Sequence, residues 1–274
     1  MTSAPATPGI RWTEEAGVGL VTLSRPPVNA LNWELKRALQ DLLSAVREDA
    51  SIRCIVLASA LPRTFCAGSD LFELARDHDR PGSATERTRF EFELWELLAG
   101  LPQPSIAAVE GHALGSGTEL AVACDFRIAG SGATFGLPEI KIGGGPGIQT
   151  LARLPLLVGL GTARRMLLLG DPLAADEALR AGLVDEVVPA GQAQERAMAL
   201  ARRLAAQPGS STRFLKASIA AATAPLIERV EAIVMGGVEA LFLAPEMREG
   251  IAAFKEKRQP DFAGAVARAR EGTR

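Results

Sequence analysis

The sequence of 274 residues has no tyrosine, three cysteines and two histidines, and aromatic residues make up only 5% of it. Cys54, Cys66 and Cys124 are odd in number and form no C-x-x-C pair, so neither a disulfide framework nor a zinc knuckle is supported. A reducing, cytoplasmic setting is expected. His78 lies in a charged stretch and His112 beside a glycine, which leaves little for a histidine-based metal site or a Ser-His-Asp triad, and no metal is expected. No apolar run approaches the ~20 residues that cross a bilayer. Residues 1–9 lack the basic start and apolar stretch of a signal peptide and are expected to be disordered. An excess of one charge is missing too. Thirty Lys+Arg against 32 Asp+Glu offers no general reason to bind nucleic acid or an anionic membrane. Basic residues outnumber acidic ones after Arg196; a small phosphate-bearing ligand could use that bias, and a solvated helical surface explains it equally well. There is no G-x-S-x-G elbow, Gly115-x-Gly117 lacks the third glycine of a dinucleotide fingerprint, and no Gly-Lys-Ser/Thr follows the glycine-rich run 143–147.

What is present is enough apolar residue, 47%, beside 23% charged residue, to build one large domain, or one domain with an appendage. Strands are expected over 10–12 and 19–23 around a turn at 15–17. A helix follows over 33–47, capped by Asn32, with Leu35, Leu39, Leu42, Leu43 and Val46 on one face. Residues 54–58 form a continuous apolar run, as expected of a strand covered on both faces. An exposed loop over 77–84, a helix over 86–98, a buried strand over 105–109, an apolar helix from Thr118 and a strand over 126–129 continue the alternation. The class is α/β with helices outside, over residues 10–191. Strands stop near Gln192, and helices over 192–206, 211–222, 226–243 and 245–257 make 192–274 a helical region.

Three segments bear chemistry. Residues 65–71, Phe-Cys-Ala-Gly-Ser-Asp-Leu, follow a buried strand, and their small side chains let a ligand approach backbone N–H groups; an ordinary tight turn fits equally well. Residues 111–119 also join a buried strand to an apolar helix, whose first N–H groups carry partial positive charge and would polarise a carbonyl aimed at them. Glu119 falls in that first turn, where offsetting the helix dipole is an alternative role. Glu139 stands between apolar neighbours just before the glycine-rich run. There it is either a general acid with a raised pKa or a surface carboxylate paired with Lys141. His112 reads as structural.

Together with Arg25-Pro26-Pro27-Val28-Asn29-Ala30-Leu31 and with Glu249-Gly250-Ile251-Ala252-Ala253-Phe254 before Lys257-Arg258-Gln259-Pro260, these segments resemble the crotonase family, the enoyl-coenzyme A hydratases and isomerases. Five ordered motifs carry the resemblance over most of the chain. It implies a spiral of β-β-α units with a C-terminal helical trimerisation region, assembled as a homotrimer or a dimer of trimers. It implies acyl thioesters of coenzyme A as substrates, with no separate cofactor. By position, the backbone N–H groups of Ser69 and Ser116 would form the oxyanion hole. Val28, Ala30, Ala67, Ser69, Asp70 and Leu71 would line the coenzyme A channel, and Phe254 and Lys257 would reach a neighbouring subunit's nucleotide. Gly115, Gly147 and Thr150 would belong to the substrate pocket.

Glu119 and Glu139 match the pair that holds the water in hydratases of this family. The implied reaction adds water across the 2,3-double bond of a 2-enoyl-coenzyme A to give a 3-hydroxyacyl thioester, Glu119 as base and Glu139 as acid. Isomerisation, C–C cleavage, thioester hydrolysis and acyl-coenzyme A binding without turnover are the alternatives. The chain departs from the pattern at Ser116, where glycine is usual, at Gln149-Thr150-Leu151 in place of Gly-Gly-Thr, and at Gln103 in place of lysine. Bulk at 149–151 would alter acyl preference or dry the water site.

Overall fold

The computed structural model describes residues 9–78 and 80–271. Of the segment 1–9 expected to be disordered, all but Gly9 lies outside the described residues. The chain opens with an antiparallel hairpin of β1 (Ile10–Glu15) and β2 (Val18–Leu23), both longer than expected. Helix α1 (Trp33–Glu48) follows, with Asn32 Oδ1 accepting the Leu35 N–H at 3.0 Å. Then come β3 (Cys54–Ser59), β4 (Thr64–Cys66), the short α2 (Leu71–Asp77) and α3 (Ser83–Ala99). Helix α3 starts three residues before the expected boundary, at the end of a loop shorter than expected. Next are β5 (Ser105–Val109), β6 (His112–Leu114), α4 (Ser116–Ala123), β7 (Phe126–Gly130) and β8 (Thr134–Gly136). A 3-10 turn (Pro138–Ile142), α5 (Ile148–Leu169), β9 (Leu173–Ala174), α6 (Ala175–Ala181) and β10 (Glu186–Val188) complete the mixed part. Helices α7 (Ala193–Ala205), α8 (Gly209–Phe242), α9 (Pro245–Glu256) and α10 (Phe262–Glu271) end the chain.

The strands build two sheets, ordered β1-β2-β3-β5-β7-β10 and β4-β6-β8-β9. From β3 to β8 the chain lays strands alternately in the first sheet and the second, and each parallel neighbour in a sheet lies one circuit further along. This is a spiral of β-β-α units. Strands 3, 5 and 7 are buried on both faces, and the period of two divides their residues cleanly. Ile55, Leu57, Ala107, Val109 and Ala129 enter the main core with α1, α3, α4 and α5. Cys54, Val56, Ala58, Ile106, Ala108 and Ile128 pack instead under α7.

The expected helices 211–222 and 226–243 are one helix, α8, running through Pro225. Proline lacks the N–H for a helical bond and crowds the preceding turn, so on local grounds it favours a break there. Packing prevails: Leu226, Ile227, Val230, Val234 and Met235 lie against Ile148 and Ala152 of α5 and hold the helix on course.

The turn after β2 is fixed by Asn29, which is buried and has φ of 51°, a conformation asparagine accepts more readily than most residues. Its amide donates to Ser59 Oγ at 2.8 Å and Phe65 O at 3.0 Å, and its Oδ1 accepts the Arg25 N–H at 2.8 Å. Asn29→Ala strands these partners in the interior and should lower the unfolding free energy by about 1–3 kcal/mol in chemical denaturation. An unchanged denaturation midpoint would show that the amide bonds hold nothing.

Candidate active site

A cavity of about 780 Å³ lies where the loops after β2, β4, β6 and β8 converge on α3 and the ends of α8 and α9. Val28, Ala30, Ala67, Asp70, Leu71 and Phe254 all line it, as do Ser69, Gly115, Ser116 and Gly147. Asp70 caps α2 and accepts an ion pair from Arg25 at 2.9 Å, which ties the 25–30 turn to one edge of the cavity. Lys257 stands exposed at the C-cap of α9, outside the lining. Thr150 is also outside it, fully buried behind Gly147.

Two loops meet at the centre. Leu31 donates to Gly68 O and accepts from Asp70 N–H, a parallel bridge that turns the N–H of Ser69, between them, to the opposite side. Ser116 is the first residue of α4, where a backbone N–H has no intrahelical acceptor. A Cβ on Gly68 would sit 2.8 Å from Leu114 O and 3.3 Å from Ser116 N, and Gly68 has φ of 97°. Only glycine permits that approach. The hydroxyls of Ser69 and Ser116 touch at 3.0 Å, so the extra side chain at position 116 bridges the two loops. Buried Lys36 donates to Ser69 Oγ at 3.0 Å and pairs with Glu91 at 2.5 Å.

The carboxyls of Glu119 and Glu139 line the same cavity in unlike surroundings. Both Glu119 oxygens accept hydrogen bonds, one from Trp95 Nε1 at 3.1 Å and one from the Gly147 N–H at 2.5 Å. Glu139 Oε1 lies over Gly115, where a Cβ would come within 2.8 Å, and its Oε2 is buried without a hydrogen-bond partner among the described residues. Burial pushes both groups above the ordinary carboxyl range; the charge of Glu91 adds to this at Glu119, and the charge of Glu119 adds to it at Glu139. The donors around Glu119 favour its ionised form, while the unmet oxygen of Glu139 favours a proton. One group is therefore suited to accept a proton while the other gives one. The reading of Glu139 as a surface carboxylate bound to Lys141 is corrected: Lys141 pairs with Asp171 at 3.8 Å.

The departures at 149–151 leave the cavity open. Gln149 is buried; it donates to Glu96 Oε1 and accepts from Arg153 Nε at 2.6 Å, and none of the three residues lines the cavity. Gln103 serves the fold, donating to Val46 O at 2.8 Å. Trp95, Lys36 and Glu91 were missed in the sequence. Position 95 lies on the inward stripe of α3 with Glu91 and Leu98, a spacing that reads as core.

Fold and site together bring two closely approaching backbone turns and two buried carboxyls to one cavity. The family model for enoyl-CoA hydratase/isomerase matches residues 13–265, and the chain belongs to that family. It is 39% identical over 254 residues to the 2,3-dehydroadipyl-CoA hydratase of Escherichia coli K12, covering 89% of this chain and 94% of that one. It is 34% identical over 253 residues to the crotonyl-CoA hydratase of Syntrophomonas wolfei, covering 91% and 95%. An enoyl-CoA hydratase structure from Mycobacterium avium subsp. paratuberculosis superimposes with a TM-score of 0.83 at 29% identity, covering 94% of this chain and 99% of that one.

Raised carboxyl pKa values make the folded state hold protons that the unfolded chain releases. The stabilisation is therefore complete below the ordinary value of 4.5 and is lost as pH rises through about 7 to 8. Thermal melts of the ligand-free protein should show a midpoint that falls between pH 5 and 8.5, and Glu139→Gln should flatten the fall. A midpoint that rises over this range would contradict the burial of the pair.

Proposed function

We propose that this protein is an enoyl-coenzyme A hydratase that adds water to a 2-enoyl thioester and forms the 3-hydroxyacyl thioester. The observation that carries the reading is the unequal pair, Glu119 held by two donors and Glu139 with an unmet buried oxygen. The thioester oxygen is received by the Ser69 and Ser116 N–H groups, each such donor worth ~10²–10³ in rate. Glu119, ionised, takes a proton from water as its oxygen bonds to the β-carbon. Electrons move to the thioester oxygen, and their return draws the proton of Glu139 onto the α-carbon. The sequence of steps is redox-neutral and uses no metal or added cofactor. An isomerase would need only the acid, and a water-addition site needs both groups.

Loss of the enoyl absorbance of crotonyl-coenzyme A tests this directly. Glu119→Gln and Glu139→Gln should each lower kcat by about 10²–10⁴ with a smaller change in KM. In the wild type, kcat/KM should be bell-shaped in pH, falling on the acid side as Glu119 is protonated and on the alkaline side as Glu139 ionises. Trp95→Phe removes a donor to the ionised base and should move the acid limb to higher pH. Wild-type protein that binds the thioester without consuming it would overturn the hydratase reading.

The assembly belongs to the same proposal. Phe214, Leu215, Ile219 and Ile233 of α8 are exposed by 58–77%, a run of apolar side chains suited to burial against further copies in a homotrimer or a dimer of trimers. In such an assembly Lys257 would face a neighbouring subunit's nucleotide. Light scattering after size exclusion should give three or six chain masses, and a monomer at micromolar concentration would exclude this. Burial pushes all three free thiols up to about 12, which suits a cytoplasmic protein that makes no disulfide.

A further inference from the structure

The wall of the cavity away from the two glutamates contains a charged group that the reaction does not use. Arg87 belongs to the inward stripe of α3 with Ala84, Thr88 and Glu91, and it lines the cavity although the residue is only 6% exposed. One guanidinium nitrogen, Nη2, pairs with Asp77 at 2.8 Å, and the group lies 5.0 Å from the Trp33 ring. Its Nε and Nη1 are buried and have no hydrogen-bond partner among the described residues. Leaving charged donors unmet in an interior is costly, so a protein normally covers them with side chains or reserves them for a ligand.

The neighbouring charges do not take these donors. Asp77 also accepts from Trp33 Nε1 at 3.3 Å, and Glu91 is engaged with Lys36 and Ser69. Beside Arg87 and Thr88 the wall includes the apolar side chains of Leu74, Val238, Leu241 and Phe242. Glu91 touches Ser69, whose N–H receives the thioester carbonyl, and Arg87 lies one helical turn, about 6 Å, from Glu91 along α3. An acyl chain leaving the carbonyl therefore passes apolar side chains on its way to Arg87, whose two unpaired donors lie just beneath the cavity surface.

We propose that the cavity selects 2-enoyl thioesters whose acyl chain ends in a carboxylate, with Arg87 as the residue that receives it. The inference rests on the acyl-coenzyme A reading of the site and names its substrate class. Arg87 is a specificity determinant, remote from the bonds that change, and a methyl-ended chain leaves its donors unmet.

The test is binding and needs no turnover. Titration calorimetry on the full-length wild type compares saturated thioesters matched in length, hexanoyl- with adipoyl-coenzyme A and octanoyl- with suberoyl-coenzyme A. At least one carboxylate-ended member should bind tenfold or more tightly than its methyl-ended partner, and the advantage should shrink as salt is raised. Arg87→Met should remove the difference while leaving the methyl-ended Kd within threefold, and Arg87→Lys should keep part of it. For turnover, the carboxylate should act mainly on kcat/KM, with hex-2-enedioyl-coenzyme A preferred over hex-2-enoyl-coenzyme A. Equal or weaker binding of both carboxylate-ended thioesters by the wild type would overturn the proposal and leave the hydratase reading intact. Binding of none of the four would overturn both. Because the wild-type comparison decides, a variant that fails to fold cannot rescue the proposal.

Discussion

The site depends on the close approach of two backbone turns. Gly68 and Gly115 bring the loops after β4 and β6 so near that a methyl group on either would meet a carbonyl or a carboxylate oxygen within 2.8 Å. That contact sets two N–H groups on one side of the cavity and places Glu139 above Gly115. The strands beneath determine where the turns can be. β4 and β6 are parallel neighbours in the smaller sheet, so consecutive circuits of the spiral deliver equivalent turns to the same edge. Repetition of a β-β-α unit is thus the reason that a site can be made from segments nearly fifty residues apart.

The two carboxyls show how environment distinguishes identical side chains. Glu119 lies in the first turn of α4, surrounded by the apolar residues of that helix, and its charge is tolerated because Trp95 and Gly147 each aim a donor at it. Glu139 lies in a short 3-10 turn that offers one of its oxygens nothing. Neither position stands out for its own helix propensity. The difference lies in partners brought from α3 and from the turn before α5.

Much of this was legible in the sequence because its signals are local. The apolar run at 54–58, the strand at 105–109 and the Asn32 cap each depend on a few adjacent residues, and the structure has them where they were expected. Glu119 and Glu139 stood out through the small residues beside them. What stayed hidden depends on long-range packing. Lys36 sits among the leucines of α1 and reads as a solvated residue beside an apolar stripe, yet it is wholly buried because Glu91 and Ser69 come to it from other elements. Pro225 carried a correct local rule that the contact of α8 with α5 overrides. Arg87 stands among charged residues near the start of α3, where nothing local marks it as buried.

The hydroxyl contact between Ser69 and Ser116 joins the two turns across the middle of the cavity, and Lys36 anchors that contact to the first helix. Dipoles fixed in this way are aligned once, during folding, and any charge brought before them meets a polar environment already in place. The hydroxyl clasp thus limits how far the two turns can drift apart.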